Sequence, residues 1–276
     1  MKNALIIALA LVMASAAGAQ VEKFRYQPDK IGIGKVYHYS KTNLDGSDPE
    51  YISIWVEDRD RLQSFKLPPE GRQAGLVMAH MDWSTFSADR IESWQTWPDQ
   101  EPRLVAKLAY LRPEKAVEVE VIPTGKPAEK VAIPRLPWHI YNFDLASLNF
   151  AFRHLIDPTG SFVVGLADPS FKDEGPVFFY RGEATVSYVG EEKRNGADCR
   201  KYRIDGPGLS NRGGFLWVNR KEEHVEDIEI DLPDNPNWKT FKFRLLGMDQ
   251  MDRAGWEAFM KSRYSRKESP AGSLNP

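Results

Sequence analysis

The chain has a single cysteine, Cys199, in 276 residues. No internal disulfide can form, so packing and hydrogen bonding must hold the fold. Cys199 lies between Asp198 and Arg200 in a strand-like stretch. That setting predicts a buried, inert thiol, since a reactive one needs a lowered pKa. Charge of one sign is missing too, with 37 Lys and Arg against 39 Asp and Glu. Without a basic excess or a basic patch, nucleic acid is not an expected partner. The signatures of several enzyme classes are absent as well. There is no G-x-S-x-G elbow, no H-E-x-x-H pair and no Gly-rich phosphate loop. His38, His139, His154 and His224 stand at no metal-binding spacing, so neither a metal nor another cofactor is called for. We find no internal repeat.

Long apolar runs are equally scarce. The longest, residues 4–13 (ALIIALALVM), falls short of the roughly 20 residues a bilayer span needs. It follows Met1-Lys2 and precedes Ala17-Gly18-Ala19, the small-residue pattern that a signal peptidase reads. Residues 1–19 therefore read as a secretory signal, with cleavage between Ala19 and Gln20. The expected product is soluble and periplasmic or secreted, without stable membrane insertion. No cysteine near the cleavage point offers a lipid anchor.

Period-two alternation dominates the rest. Val117, Val119 and Val121 alternate with Glu118 and Glu120. Ile228, Ile230 and Leu232 alternate with Asp227, Glu229 and Asp231, and Phe241, Phe243 and Leu245 with Lys242 and Arg244. Such segments are strands with one packed and one wet face. Folding the last two against each other sets carboxylates opposite cations on the wet face, which favours that pairing. Asp45-Gly46 and Asn195-Gly196 supply the positive φ angles of hairpin turns. About a dozen strands are expected, at the spacing of an all-β domain.

Two helices interrupt them. Leu145, Leu148, Phe152 and Leu155 form one stripe behind a capping Asp144 or Asn142. Trp256, Phe259, Met260 and Tyr264 form another, in a helix over residues 249–264. The tail at 265–276 has too little apolar content to order. The Pro-rich stretch from Pro123 to Pro137 reads as a crossover within one domain, residues 20–264.

Candidates for chemistry are few. His80 and Asp82 fall on the same face of a strand, about 6.5–7 Å apart. That suits a base with its orienting group, or two ligands of one metal; it equally suits an ordinary polar face. Trp94, Trp97, Trp138 and Tyr141 offer flat apolar surfaces with a polar handle, suited to an apolar ligand or to packing. Glu222, Glu223 and His224 read as a charged turn.

Three stretches carry a family resemblance: residues 51–67 (YISIWVEDRDRLQSFKL), 138–150 (WHIYNFDLASLNF) and 198–220 (DCRKYRIDGPGLSNRGGFLWVNR) with the strands that follow. They resemble uncharacterised exported bacterial β proteins grouped as domains of unknown function. That group is similar in architecture to the periplasmic lipoprotein carriers, in which a bent antiparallel sheet half-encloses helices and an apolar cavity. The resemblance implies a fold and brings no catalytic residue.

The expected architecture is mainly β: a single large curved antiparallel sheet, a half-barrel or clam, with one helix against its concave side and a second at the C-terminus. A sheet of this size must curl or close to protect its edges. The leading functional expectation is a non-catalytic binding protein of the bacterial envelope for a lipid or other apolar ligand. The alternatives are a periplasmic hydrolase using His80 and Asp82, or a structural and assembly protein without a pocket. The oligomeric state is not legible.

Overall fold

The structure, a computed structural model, describes residues 21–172 and 174–264. The signal peptide expected over residues 1–19, its cleavage point at Ala19 and Gln20, and the tail from Ser265 lie outside the described residues. Strands β1 (Lys35–Thr42), β2 (Glu50–Val56), β3 (Arg61–Leu67), β4 (Ala74–Asp82), β5 (Ser87–Thr96), β6 (Arg103–Leu111), β7 (Ala116–Val121) and β8 (Glu129–Ala132) form one meander. After β9 (Trp138–Ile140) and helix α1 (Ala146–Ala151) comes a second meander. It comprises β10 (Ser161–Pro169), β11 (Phe178–Arg194), β12 (Ala197–Asp205), β13 (Gly214–Asn219), β14 (Val225–Ile230) and β15 (Phe241–Gln250). Helix α2 (Arg253–Tyr264) follows.

All fifteen strands join one sheet, ordered β8-β7-β6-β5-β4-β3-β2-β1-β15-β14-β13-β12-β11-β10-β9. The β1–β15 pair welds the two meanders together. Pairing is antiparallel except between β9 and β10, which are parallel. Strands β8 and β9 are the two edges, yet only residues 133–137 separate them in the chain. A flat sheet of this many strands would be about 67 Å across. Six Cα–Cα steps reach only about 20 Å. The sheet must curl until its edges approach, and they do. Glu129 of β8 accepts the Val177 N–H, just ahead of β11, at 2.9 Å. The Trp138 N–H of β9 donates to Ser87 Oγ of β5 at 2.8 Å. Of the Pro-rich stretch from Pro123 to Pro137, only residues 133–137 make this crossing, because Glu129–Ala132 within it is strand β8.

The curl gives the sheet an inner and an outer face. Tyr37, Tyr39, Ile52, Ile54, Ile228, Ile230, Phe241 and Phe243 all belong to one large inner core. Residues 143–155 fill it, and every one of them is buried. The outer face carries a smaller cluster of Val36, Trp55, Phe65, Leu67 and Ala74 around Trp256 of α2, with Phe259, Met260 and Tyr264 beside it.

The expected pairing of the last two strands is present in register. Asp227 stands opposite Arg244, Ile228 opposite Phe243 and Glu229 opposite Lys242. Arg244 Nε lies 3.2 Å from Asp227 and Lys242 Nζ 2.9 Å from Glu229. Asp231 falls past the end of β14 and meets Arg212 instead. Asn195 and Gly196, at φ of 53° and 82°, form the two-residue turn between β11 and β12.

Both helices begin later than their sequence patterns predict. β15 runs through Asp249 and Gln250, and Asp252 caps α2 by accepting the Gly255 N–H at 2.8 Å. Helix α1 has six residues and gives way to a 3-10 turn at Phe152–His154. Neither Asn142 nor Asp144 caps it; Leu145 precedes it with no side-chain cap. Among the described residues no helix is long and apolar enough to cross a membrane.

Candidate functional site

His80 projects from β4 on the opposite side to Ala79 and Met81, which belong to the inner core. Leu76, of the same parity, packs in the outer cluster. His80 is therefore on the outer face, and its side chain is 28% exposed. Its Nδ1 lies 2.6 Å from Asp89 and its Nε2 3.0 Å from Asp60. Asp82 is not its partner. The bulge in this strand pair falls on β5, where Asp89 is the extra residue and turns toward His80, while Asp82, the last residue of β4, organises the next turn. It accepts Ser84 Oγ at 2.8 Å, the Ser84 N–H at 3.0 Å and Thr85 Oγ1 at 3.1 Å. The Arg112 guanidinium completes its shell. The structure thus does not bring His80 and Asp82 together. The two carboxylates His80 does meet, from the β3 turn and the β5 bulge, carried no signal in local spacing.

The four aromatic candidates also part company. Trp138 and Tyr141 are in the inner core, 1% and 0% exposed. The Tyr141 hydroxyl donates to the Leu232 carbonyl at 2.6 Å. Trp94 stands opposite Leu76 of the outer cluster and donates to Glu92 at 3.2 Å. Trp97 lies in the turn after β5, under the Arg103 guanidinium at 5.5 Å. Cys199 is fully buried, and burial pushes its thiol up to about 11. His224 is fully buried as well, 3.0 Å from Glu226, and so is not the solvated turn residue its sequence neighbours imply.

The arrangement with most chemical content was not visible in the sequence. Residues 143–155 act as a plug in the hollow of the sheet, held by polar groups at both ends and in the middle. At one end Asp144 lies 2.5 Å from Lys66 Nζ and 3.4 Å from Lys41 Nζ. Lys41 Nζ is also 2.5 Å from Asp234 and 3.9 Å from Glu50, with the Trp238 ring 4.1 Å away. Burial alone would lower the Lys41 pKa, but Asp144, Asp234 and Glu50 outweigh it and hold the ammonium above its usual range. Beside this group, Asp168 accepts the Asn142 N–H at 2.7 Å and pairs with Arg181 at 2.7 Å. Burial pushes Asp168 up to about 7, against the opposing pull of Arg181.

In the middle, Asn149 donates to Tyr39 Oη at 3.0 Å and accepts the Val225 N–H at 2.9 Å. Ser147 Oγ lies 2.8 Å from His139 Nδ1. At the far end Arg153 donates to the carbonyls of Ile31 and Lys30, at 3.1 and 3.2 Å, and to Tyr37 Oη at 3.3 Å. His154 Nδ1 accepts the Gln27 N–H at 3.2 Å. Burial holds His139 down at about 3; burial, with help from Arg153 and Lys30, does the same for His154.

The plug is not held by its own local structure. Its helix is six residues long and uncapped, well below the length at which helices sustain themselves. Asp144 and Leu145 both take left-handed backbone, at φ of 53° and 52°. Such residues are strained by about 1–3 kcal/mol each and persist only where their surroundings impose them. Arg153 Nε, His154 Nε2 and His139 Nε2 make no hydrogen bond among the described residues. A buried polar atom left unmatched costs about 1–3 kcal/mol. Tertiary contacts alone keep this segment in place.

No family model matches the chain, and no curated protein does. Among solved structures it is similar to a DUF1329 family protein from Desulfovibrio piger, with 10% identity and a TM-score of 0.31 over 85% of this chain and 93% of that one. It is also similar to a putative outer membrane lipoprotein-sorting protein domain from Vibrio parahaemolyticus. There the identity is 8% and the TM-score 0.21, over 82% of this chain and 91% of the other. These are the two kinds of protein that the sequence resemblance names; at such scores the likeness carries no argument about function.

Proposed function

We propose that this chain is a non-catalytic binding protein of the cell envelope that takes an apolar chain into the hollow of its curled sheet, in exchange for the plug at residues 143–155. One observation carries this reading. A continuous apolar inner face is filled by a strained, uncapped segment with unmatched polar atoms, where a protein without a ligand would gain by packing a plain apolar helix. Removing Leu148, Phe150, Phe152 and Leu155 from the hollow exposes inner-face side chains that an acyl chain covers equally well, since apolar burial is not directional. The secretory pattern of residues 1–19 supports a place outside the cytoplasm.

The hydrolase reading draws less support. His80 is on the outer face with both ring nitrogens facing carboxylates, and Asp82 is committed to its own turn and to Arg112.

Native mass spectrometry of the protein purified from the periplasm of an expression host tests the proposal. The expected result is a population carrying lipid-sized mass that organic extraction removes. A bare polypeptide mass, from a protein that also takes up no added fatty acid, contradicts it.

A further inference from the structure

We infer that the apolar chain taken up by this protein carries an anionic headgroup, a carboxylate or a phosphate, that binds Lys41 and Lys66 in the place Asp144 occupies. This deepens the proposed function and rests on the exchange of plug for ligand described there. The geometry supplies the argument. Lys41 and Lys66 stand at the plug's entry point on β1 and β3, their ammonium groups both within 3.4 Å of the Asp144 carboxylate. With the plug seated their side chains are only 1% and 14% exposed, and Asp144 is the one carboxylate paired with Lys66 among the described residues. A buried charge stripped of its partner is strongly destabilising.

Asp144 belongs to the plug, whereas the other two carboxylates near Lys41 do not. Asp234 lies after β14 and Glu50 opens β2. Both lysines and these two acids stay with the sheet when the plug leaves. When Asp144 departs, Lys41 keeps Asp234 and Glu50, but Lys66 loses the one carboxylate that pairs with it among the described residues, and an anionic headgroup restores that contact. A neutral head would leave Lys66 without a charged acceptor, and a cationic head would add repulsion. The backbone argues the same way. Asp144 and Leu145 take left-handed backbone at the point where the carboxylate meets the two lysines, so this contact is made from a strained part of the segment.

Lys66 supplies the cleaner handle, because it pairs with Asp144 while Lys41 also holds Asp234. Asn142 contributes the other acceptor at Lys66, its carbonyl 2.9 Å from Nζ. That carbonyl lies just ahead of the plug.

The test uses probes with one tail and different heads, each kept below its micelle-forming concentration. Laurate, dodecyl phosphate, 1-dodecanol and dodecyltrimethylammonium are titrated into the full chain by isothermal calorimetry. The expected result is that laurate or dodecyl phosphate binds at least about tenfold tighter than dodecanol, with the stronger of the two identifying the headgroup, and that the cationic probe binds weakest. Lys66→Gln is expected to abolish the anion preference, so that laurate and dodecyl phosphate bind no tighter than dodecanol to the same variant, and Lys66→Arg to retain it. Equal affinity for all four heads overturns the headgroup inference and leaves the apolar-chain reading standing. Failure of every probe to bind overturns both. The wild-type series decides the matter by itself if Lys66→Gln does not fold.

Discussion

Asp144 looks in sequence like a helix cap, because Asp before an apolar stripe is the usual start signal. In the fold it is instead an interior anion with φ of 53°. The difference comes from two lysines on strands far upstream in the chain, Lys41 on β1 and Lys66 on β3, which no local pattern could reveal. Lys41 carries no sequence signal of its own and is 1% exposed. Replacing it isolates Asp234 and weakens the hold on Asp144. Lys41→Met is therefore expected to destabilise the protein by about 3–5 kcal/mol in urea unfolding, the usual penalty for breaking a buried pair from one side. A loss below about 1 kcal/mol contradicts the buried network. The buried histidines give a second residue-scale expectation. His154 titrates at about 3 in the fold against an ordinary 6.5. Between those values the unfolded chain binds a proton that the folded chain does not. Stability therefore rises with pH across that window and is lost as pH falls below the unfolded value. Each such histidine contributes a slope of up to about 1.4 kcal/mol per pH unit. Asp168, raised to about 7 from 3.8, acts in the opposite sense by holding a proton in the fold, but it does so equally in wild type and variant. His154→Gln should flatten the stability–pH slope between about pH 4.5 and 6 by one proton. An unchanged slope would show that this imidazole is not kept neutral in the fold.

At the scale of elements, hairpins were the most legible part of the chain. Asn195-Gly196 named its own turn, and the β14–β15 register followed from charges set across the ladder. What alternation could not show was the third participant in that ladder. Arg194 arrives from β11, pairs with Asp227 at 2.9 Å and lies 4.1 Å over Trp217. Bulges were invisible too, and the one on β5 brings Asp89 to His80 in place of Asp82. The stripe of α1 misled for a different reason. The polar positions of α1 and of the 3-10 turn after it, Ser147, Asn149, Arg153 and His154, are buried and hydrogen-bonded inward, so an amphipathic pattern marked a segment with no wet face. For α2 the stripe was sound. Trp256 is 1% exposed, stacks on Trp55 with centroids 5.7 Å apart and donates to Gln63 at 2.8 Å. Trp256→Ala is expected to cost about 3–5 kcal/mol and to free α2 from the outer face. Limited proteolysis would then cut within Arg253–Tyr264 before it touches the sheet. Wild-type resistance in the variant would contradict the anchoring role. Asp252→Ala, which removes the cap, should have a smaller effect of about 1 kcal/mol.

For the whole molecule, the sequence conveyed the class of fold and a curled sheet but not how the curl is enforced. A short link between the two outermost strands dictates it, and that constraint appears only once the strand order is known. The same curl creates an interior whose occupant is the least self-sufficient segment of the chain. On this account the sheet is the permanent structure, and residues 143–155 are its replaceable content. Hydrogen–deuterium exchange with and without laurate tests that claim most directly. The account predicts that amides of residues 143–155 lose protection when the fatty acid binds, while those of β13, β14 and β15 keep theirs. If laurate binds and residues 143–155 stay as protected as those strands, the plug is part of the permanent core and the account is wrong.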